Sequence, residues 1–387
     1  MRDITITKYI KYIGVDDDDL DLFENQYIVP NGISYNSYII IDDKIAIMDT
    51  VDERKKSEWL VNLKRELNGK IPDYLIISHM EPDHSACIKD LIDMYSNIKL
   101  VGNQKTFEIF DQFFHIDIEN KKIIVKENTE LNLGHHILQF IMAPMLHWPE
   151  VMMTYEKNNH VLFTADGFGK FGTLNTNEDW TCEARRYYFG IVGKYGMQVQ
   201  MLLNKIKNLN IEFICPLHGP ILKDNLNQYL EKYDIWSKYE PETKGVFIAY
   251  ASIHGNTYKA VQELEKMLKD NGEQNIVTSD LCREDWAENI EDAFRYDRIV
   301  LAASSYNSSV FTPMYNFLHG LLERNYQNRK VGLIENGTWA PSANRTMQEI
   351  LSQMKNIQIC ENKVSIKSSL DDYSKEQLSK LAKEIAQ

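Results

Sequence analysis

The chain has 387 residues, of which 43% are hydrophobic and 26% charged, and carries a formal charge of −13. Such a length exceeds one ordinary core and points to two domains, while the acidic balance excludes broad nucleic-acid binding, which needs a basic surface. Five scattered cysteines with no Cys-x-x-Cys pair exclude a disulfide framework, a rubredoxin-type iron centre and a zinc ribbon. No run of eighteen apolar residues occurs, and Met1-Arg2-Asp3-Ile4 lacks a signal-peptide core, so a cytoplasmic protein without membrane segments is expected.

In chain order, residues 39–41 and 44–48 are apolar runs around Asp42-Asp43, a hairpin signal. Residues 52–67 have helical spacing, with Gly69 as the C-cap candidate. The apolar run 74–77 then ends in Ser78-His79-Met80-Glu81-Pro82-Asp83-His84-Ser85, which packs two imidazoles and two carboxylates into six positions. A buried strand delivers side chains to a site at its carboxyl end in this way. Four ligands so close crowd one ion but divide between two, with His79 and Glu81 pointing one way and Asp83 and His84 the other.

Three further candidates follow β-like runs: His147 after residues 136–143, Asp166 after 161–165, and His218 after 211–216. All can converge on one edge of a sandwich. A lone His-x-Glu is ordinarily a solvated loop, but four imidazoles with three carboxylates suit borderline metals such as iron or zinc. Carboxylates bridge ions about 3.5–4 Å apart, and Asp166, central in the order, is the candidate bridge. His115, His135, His136, His160 and His319 lack comparable strand-end settings and read as surface or packed residues.

Residues 152–155 and 161–164 flank Lys157-Asn158-Asn159, a second hairpin. Hairpins mixed with helices suit a two-sheet sandwich with helices outside. The polar, proline-bearing stretch Tyr239-Glu240-Pro241-Glu242-Thr243-Lys244 marks a break, giving domains 1–242 and 243–387. Beyond it, strands at 245–250, 275–279, 298–303, 330–334 and 363–366 alternate with helices at 257–269, 285–294, 313–323, 341–354 and 375–385. That alternation predicts a doubly wound, five-stranded parallel sheet.

Three strand-end loops of this second domain gather hydroxyl, amide and aromatic side chains. The first, Ser252-Ile253-His254-Gly255-Asn256-Thr257, offers hydroxyls and unpaired N–H groups at a helix N-terminus, which favour a phosphate dianion. It contains no Gly-x-Gly-x-x-Gly, so a mononucleotide fits better than FAD or NAD. The second holds Ser305, Tyr306 and Asn307; the third holds Asn336, Gly337, Thr338, Trp339 and Ala340. The three loops resemble those with which flavodoxin-like proteins hold a flavin, and the resemblance makes Tyr306 and Trp339 the candidates for contact with an isoalloxazine ring.

The ligand order resembles the metallo-β-lactamase superfamily, whose usual first motif is His-x-His-x-Asp-His. With Glu81 in place of the second His and Pro82 after it, the pattern is that of the flavodiiron proteins. The resemblance also takes in Ser34-Tyr35-Asn36-Ser37-Tyr38, Asp49-Thr50 and His147-Trp148-Pro149, where the family usually has Asp rather than Glu150 next. It implies a metallo-β-lactamase-like αββα sandwich followed by a flavodoxin-like domain, with FMN and two non-heme irons per chain. It implies His79, Glu81 and His147 on one iron, Asp83, His84 and His218 on the other, and Asp166 between them. Tyr195 resembles a family tyrosine that points at the metal pocket. The activity implied is reduction of dioxygen to water, of nitric oxide to nitrous oxide, or both. Electrons would come from rubredoxin or a similar carrier, within a head-to-tail homodimer or a tetramer of two such dimers. The alternative is a dinuclear zinc hydrolase with a regulatory flavodoxin-like module, in which Asp83 holds a hydroxide nucleophile.

Overall fold

The computed structural model describes residue 4 and residues 6–387. They form two compact units: the chain up to Tyr188 with Met197–Asp234, and Phe189–Gly196 with Ile235–Gln387. The second unit thus takes in residues 235–242 and the detached stretch Phe189–Gly196, for a visible reason. The Phe189 ring stacks on Phe294 at 3.9 Å between centroids, Arg324 Nε donates to Phe189 O at 2.9 Å, and Tyr239 Oη donates to Gly193 O at 2.9 Å.

In the first unit, a six-stranded sheet runs in the order Ile10–Tyr12, Tyr38–Ile40, Ala46–Met48, Tyr74–Ile76, Lys99–Gly102, Lys122–Ile124. The Asp42-Asp43 hairpin pairs Ile40 with Ala46, and the strands from Ala46–Met48 onward are parallel. A second sheet of five strands contains Glu130–Asn132, Ile137–Met142, Met152–Glu156, Val161–Phe163 and Phe213–Cys215. Ile40, Met48, Ile76 and Val101 of the first sheet share one core with Leu138, Phe140, Met152 and Phe163 of the second. Burying each such side chain contributes roughly 1.5–3 kcal/mol. Ile39, Ile47 and Leu75, on the opposite pleat, are buried too, as strands covered on both faces require. The helix Lys56–Leu67 buries Trp59 and Leu63 and ends at Asn68 in the left-handed region (φ 44°), one residue before Gly69 (φ 83°).

In the second unit, Ile276–Asp280, Thr243–Ala251, Tyr296–Tyr306 and Arg329–Asn336 pair in parallel in that order. Two short strands, Ile357–Ile359 and Val364–Ile366, share the last place beside Arg329–Asn336. The order 2-1-3-4-5 is the flavodoxin-like form of the doubly wound sheet, which gathers its ligand loops at the strands' carboxyl ends. Helix Asn256–Asp270 buries Ala260, Val261, Leu264 and Leu268 at helical spacing, and that stripe packs into the core with Val246, Val300 and Ile334. Among the described residues, no helix is long and apolar enough to cross a membrane.

Candidate metal centre and flavin pocket

The strand Tyr74–Ile76 and its neighbour Ala46–Met48 end side by side. Asp49, at φ 54°, uses its Oδ1 to accept from the backbone N–H of Ser78 at 2.7 Å and of His79 at 3.3 Å. Pro82 then opens the short helix Pro82–Ser85, where its missing N–H costs nothing, and that helix carries Asp83 and His84. His147, Asp166 and His218 sit on loops after Ile137–Met142, Val161–Phe163 and Phe213–Cys215 of the second sheet.

The fold draws these seven side chains into two groups, His79–Glu81–His147–Asp166 and Asp83–His84–His218. In the first, Glu81 Oε2 lies 3.1 Å from His79 Nε2 and 3.0 Å from His147 Nε2, while Asp166 Oδ2 lies 3.3 and 3.2 Å from the same atoms. In the second, Asp83 Oδ2 lies 3.3 Å from His84 Nε2 and 3.2 Å from His218 Nε2, and the two imidazole nitrogens are 3.1 Å apart. Asp166 turns its other oxygen to this group, with Oδ1 3.3 Å from His84 Nε2 and 3.7 Å from His218 Nε2. Donor atoms bound at metal–ligand lengths of 2.0–2.2 Å stand about 2.8–3.1 Å apart at octahedral angles and about 3.3–3.6 Å apart at tetrahedral ones. The spacings within each group fall in that span, with Asp166 Oδ1 to His218 Nε2 just beyond it. Both carboxylate oxygens of Asp83 and Asp166 Oδ1 are buried without a hydrogen-bond partner, so lone pairs converge where a cation would satisfy them. The residues present fit a pair of metal ions.

Partners behind the ligands orient them. His79 Nδ1 donates to Glu150 Oε1 at 2.8 Å, and His218 Nδ1 donates to Ser34 O at 2.7 Å. Burial opposes charging His79, yet Asp166, Glu150 and Glu81 raise its pKa well above the ordinary imidazole value. Burial likewise opposes charge on His147, which Asp166 and Glu81 nonetheless raise to about 9. The carboxyl of Glu81, pushed up by burial, is held far below its usual range by His147 and His79. In this group the imidazoles of His79 and His147 and the carboxylates beside them favour one another's charged forms, and a cation would displace the protons from those imidazoles.

The three flavin-type loops enclose a pocket of about 510 Å³, lined by Ser252, Ile253, His254, Asn256, Thr257, Ser305, Tyr306, Asn307, Asn336, Gly337, Thr338, Trp339 and Ala340. Gly255, at φ 83°, precedes helix Asn256–Asp270 and turns the loop into its N-terminus. Thr257 Oγ1 lies 3.0 Å from Ser304 Oγ. Ser252 Oγ accepts from the N–H of Gly255 at 3.1 Å, and Ser305 Oγ from that of Ser342 at 2.8 Å, so both hydroxyls shape their loops. Trp339 is 90% exposed and Tyr306 48%, which leaves both rings accessible to a planar ligand.

Comparison with known proteins assigns these two constructions together. A model of the ODP family of β-lactamase-like domains matches residues 33–219, and a flavodoxin-domain model matches residues 247–366. A nitric oxide reductase of Moorella thermoacetica is 30% identical over 372 residues, covering 91% of this chain and 90% of that protein. A flavo-diiron protein of Clostridium acetobutylicum is 28% identical over 93% of this chain and 92% of its own length. The chain belongs to the flavodiiron protein family. The rubredoxin oxygen:oxidoreductase of Desulfovibrio gigas has the same fold, with a TM-score of 0.92 at 24% identity over 100% of this chain and 98% of that one. The diflavin flavoprotein A 1 of Synechocystis is longer: it is 32% identical over 275 residues, which span 69% of this chain and 48% of that protein.

Other side chains of this flavodiiron protein stand at the two groups without being legible as ligands. Trp148 sets its ring edge-on to His79 at 5.2 Å, and Phe23 does so to His218 at 5.2 Å. Tyr187, the last residue of helix Trp180–Tyr187, places its ring 5.6 Å from His218. Burial raises its pKa well above the ordinary phenol value, and the charges of Asp166, Asp83 and Glu81 add to this. Tyr195 lies in the turn Gly193–Tyr195, within the stretch that clusters with the second unit. Within the first unit, Tyr35 stands beside the ligand groups as Tyr187 does, its ring 6.0 Å from that of His218. Ser304, Ser308, Ser342 and Ser368 also line the flavin pocket; the available signal was a strand-end position for Ser304, Ser308 and Ser368 and a helix N-cap position for Ser342.

Proposed function

We propose that this flavodiiron protein reduces dioxygen to water, nitric oxide to nitrous oxide, or both, with electrons from a separate carrier such as rubredoxin. As a member of its family it is an oxidoreductase that uses FMN and a non-heme diiron site. The observation that carries the reading is the convergence of seven side chains into two facing groups spanned by Asp166. His79, Glu81 and His147 would hold one iron and Asp83, His84 and His218 the other, with Asp166 shared. When bound, the irons and FMN supply electrons: four in O2 + 4 H⁺ + 4 e⁻ → 2 H2O, two in 2 NO + 2 H⁺ + 2 e⁻ → N2O + H2O. Glu81 gives its half of the centre a hard anionic donor, which favours iron over zinc. Tyr187 is buried against the ligands and keeps its proton, so it can offer an O–H to a bound gas, while Trp148 and Phe23 wall the ligands.

The ligand groups and the flavin pocket lie in separate compact units. The proposal therefore extends, by resemblance to the family, to a head-to-tail dimer that sets the FMN of one subunit beside the irons of the other. Five free cysteines suit a reducing compartment, and a cytoplasmic location belongs to the same proposal.

The test is metal and flavin content after anaerobic purification, followed by stopped-flow reoxidation of the reduced protein with each gas. Two irons and one FMN per chain with fast reoxidation are expected. Two zincs with no gas reaction would overturn the reading.

A further inference from the structure

The two ligand groups have nearly matching donors, each with two imidazoles and one carboxylate beside the shared Asp166. What stands behind them is unequal. Glu150, fully buried, uses Oε1 to accept from His79 Nδ1 at 2.8 Å and from the N–H of Met80 at 2.8 Å. Its Oε2 is buried and finds no hydrogen-bond partner among the described residues. A buried carboxylate half satisfied by its surroundings is costly unless a positive charge lies near, and the ring of His79 is its one ion-pair partner among the described residues. Behind His218 stands only a neutral carbonyl, Ser34 O. Behind His84 stands nothing: its Nδ1 is buried and unpartnered among the described residues.

A carboxylate on the far nitrogen of a ligating imidazole fixes the tautomer, so that Nε2 presents its lone pair, and raises the ring's donor strength. A carbonyl does so more weakly, and an unpartnered N–H leaves the ring free to choose either tautomer. We propose that Glu150 makes the two ion positions unequal: the position of His79, Glu81 and His147 fills first and holds its ion more tightly than that of Asp83, His84 and His218. Glu150 is here a positioning residue acting through His79. The inference rests on the reading that these seven residues hold two ions.

The test uses the full chain, stripped of metal by a chelator and supplied with FMN, titrated with Co²⁺ alone. Calorimetry counts the steps, and cobalt d–d absorption reports each site. Two steps are expected, with dissociation constants at least about tenfold apart, and Glu150→Gln should weaken the tighter one about 10–100-fold while sparing the weaker. A purely structural lesion would weaken both steps alike and lower the melting temperature of the metal-free variant. Should Glu150→Gln fail to fold, His147→Asn and His84→Asn decide the order: the first must abolish the tight step and the second the weak one. Equal steps in the parent chain, parallel weakening of both steps in Glu150→Gln, or loss of the tight step in His84→Asn overturns the inference and leaves the two-ion reading intact. Binding of fewer than two Co²⁺ overturns that reading and the inference with it.

Discussion

Asp49 shows what the metal centre costs the fold. Its buried carboxylate clamps the backbone of Ser78 and His79, the entry to the ligand loop, through Oδ1. Burial lifts its pKa from 3.8 to about 6, against the pull of the Ser78 hydrogen bond and the charge on His84. At about 1.4 kcal/mol per pH unit, that separation means that ionised Asp49 subtracts about 3 kcal/mol from folding stability at neutral pH. The sign follows from which state releases its proton first. Below about pH 4 the carboxyl is protonated in both states and the penalty vanishes. Between 4 and 6 the unfolded chain ionises first, so stability falls as pH rises, and above 6 the full penalty stands. Asparagine keeps the accepting oxygen and cannot ionise. Metal-free Asp49→Asn should therefore match the parent at pH 4 and exceed it by about 3 kcal/mol at pH 7.5, measured as urea midpoints followed by tryptophan fluorescence. Added Fe²⁺ or Co²⁺ favours the carboxylate and should narrow the gap. Parallel stability curves from pH 4 to 8, or a variant less stable at pH 7.5, would refute this account of Asp49.

Replacing Glu81 by His converts an anionic donor between His79 and His147 into a neutral one. Metal analysis of the purified variant should show zinc rising at the expense of iron, and unchanged turnover of both gases would contradict the role given to Glu81. Tyr187→Phe removes the O–H while keeping the ring against His218. Gas reduction should fall roughly 100–10,000-fold at unchanged iron content; an unaltered rate assigns the proton to another group. Thr257→Val deletes a hydroxyl at the phosphate loop. By the strength of a hydrogen bond to a charged group, FMN binding should weaken roughly 10–100-fold, while riboflavin, which lacks the phosphate, should bind as before; fluorescence titrations compare the two. Arg329 is buried and donates to the carbonyls of Tyr296 at 2.7 Å and Tyr239 at 2.8 Å. Arg329→Met strands those oxygens and should destabilise the protein by about 3–5 kcal/mol in chemical denaturation.

The parts of this protein that were legible in the sequence are those whose meaning is local. A ligand loop of eight consecutive residues after an apolar strand announces itself, because strand, turn and ligand identities lie within one stretch. The division of its ligands, His79 with Glu81 and Asp83 with His84, follows from where Pro82 starts the helix Pro82–Ser85. Most of the second unit was legible for the same reason. Its last strand is broken into Ile357–Ile359 and Val364–Ile366, and the first piece carries only Ile357 and Ile359 around Gln358, too short a run to stand out. Helix 341–354 shortens to Ala343–Leu351: the Ser342 hydroxyl donates to Ser309 O instead of capping the helix, and the chain turns after Leu351. What escaped was long-range. Glu150 is a strand-flanking acid like many others until the fold brings it to His79, 71 residues away in sequence. Tyr187 gives no sign of its place because helix Trp180–Tyr187 has no ligand motif. Sequence therefore exposes which atoms can bind a metal sooner than it exposes which atoms stand behind them. The carboxylate behind His79, the carbonyl behind His218 and the bare nitrogen of His84 are facts of tertiary packing. If the two ion positions differ in affinity, the difference arises there, since their ligands are chemically almost the same.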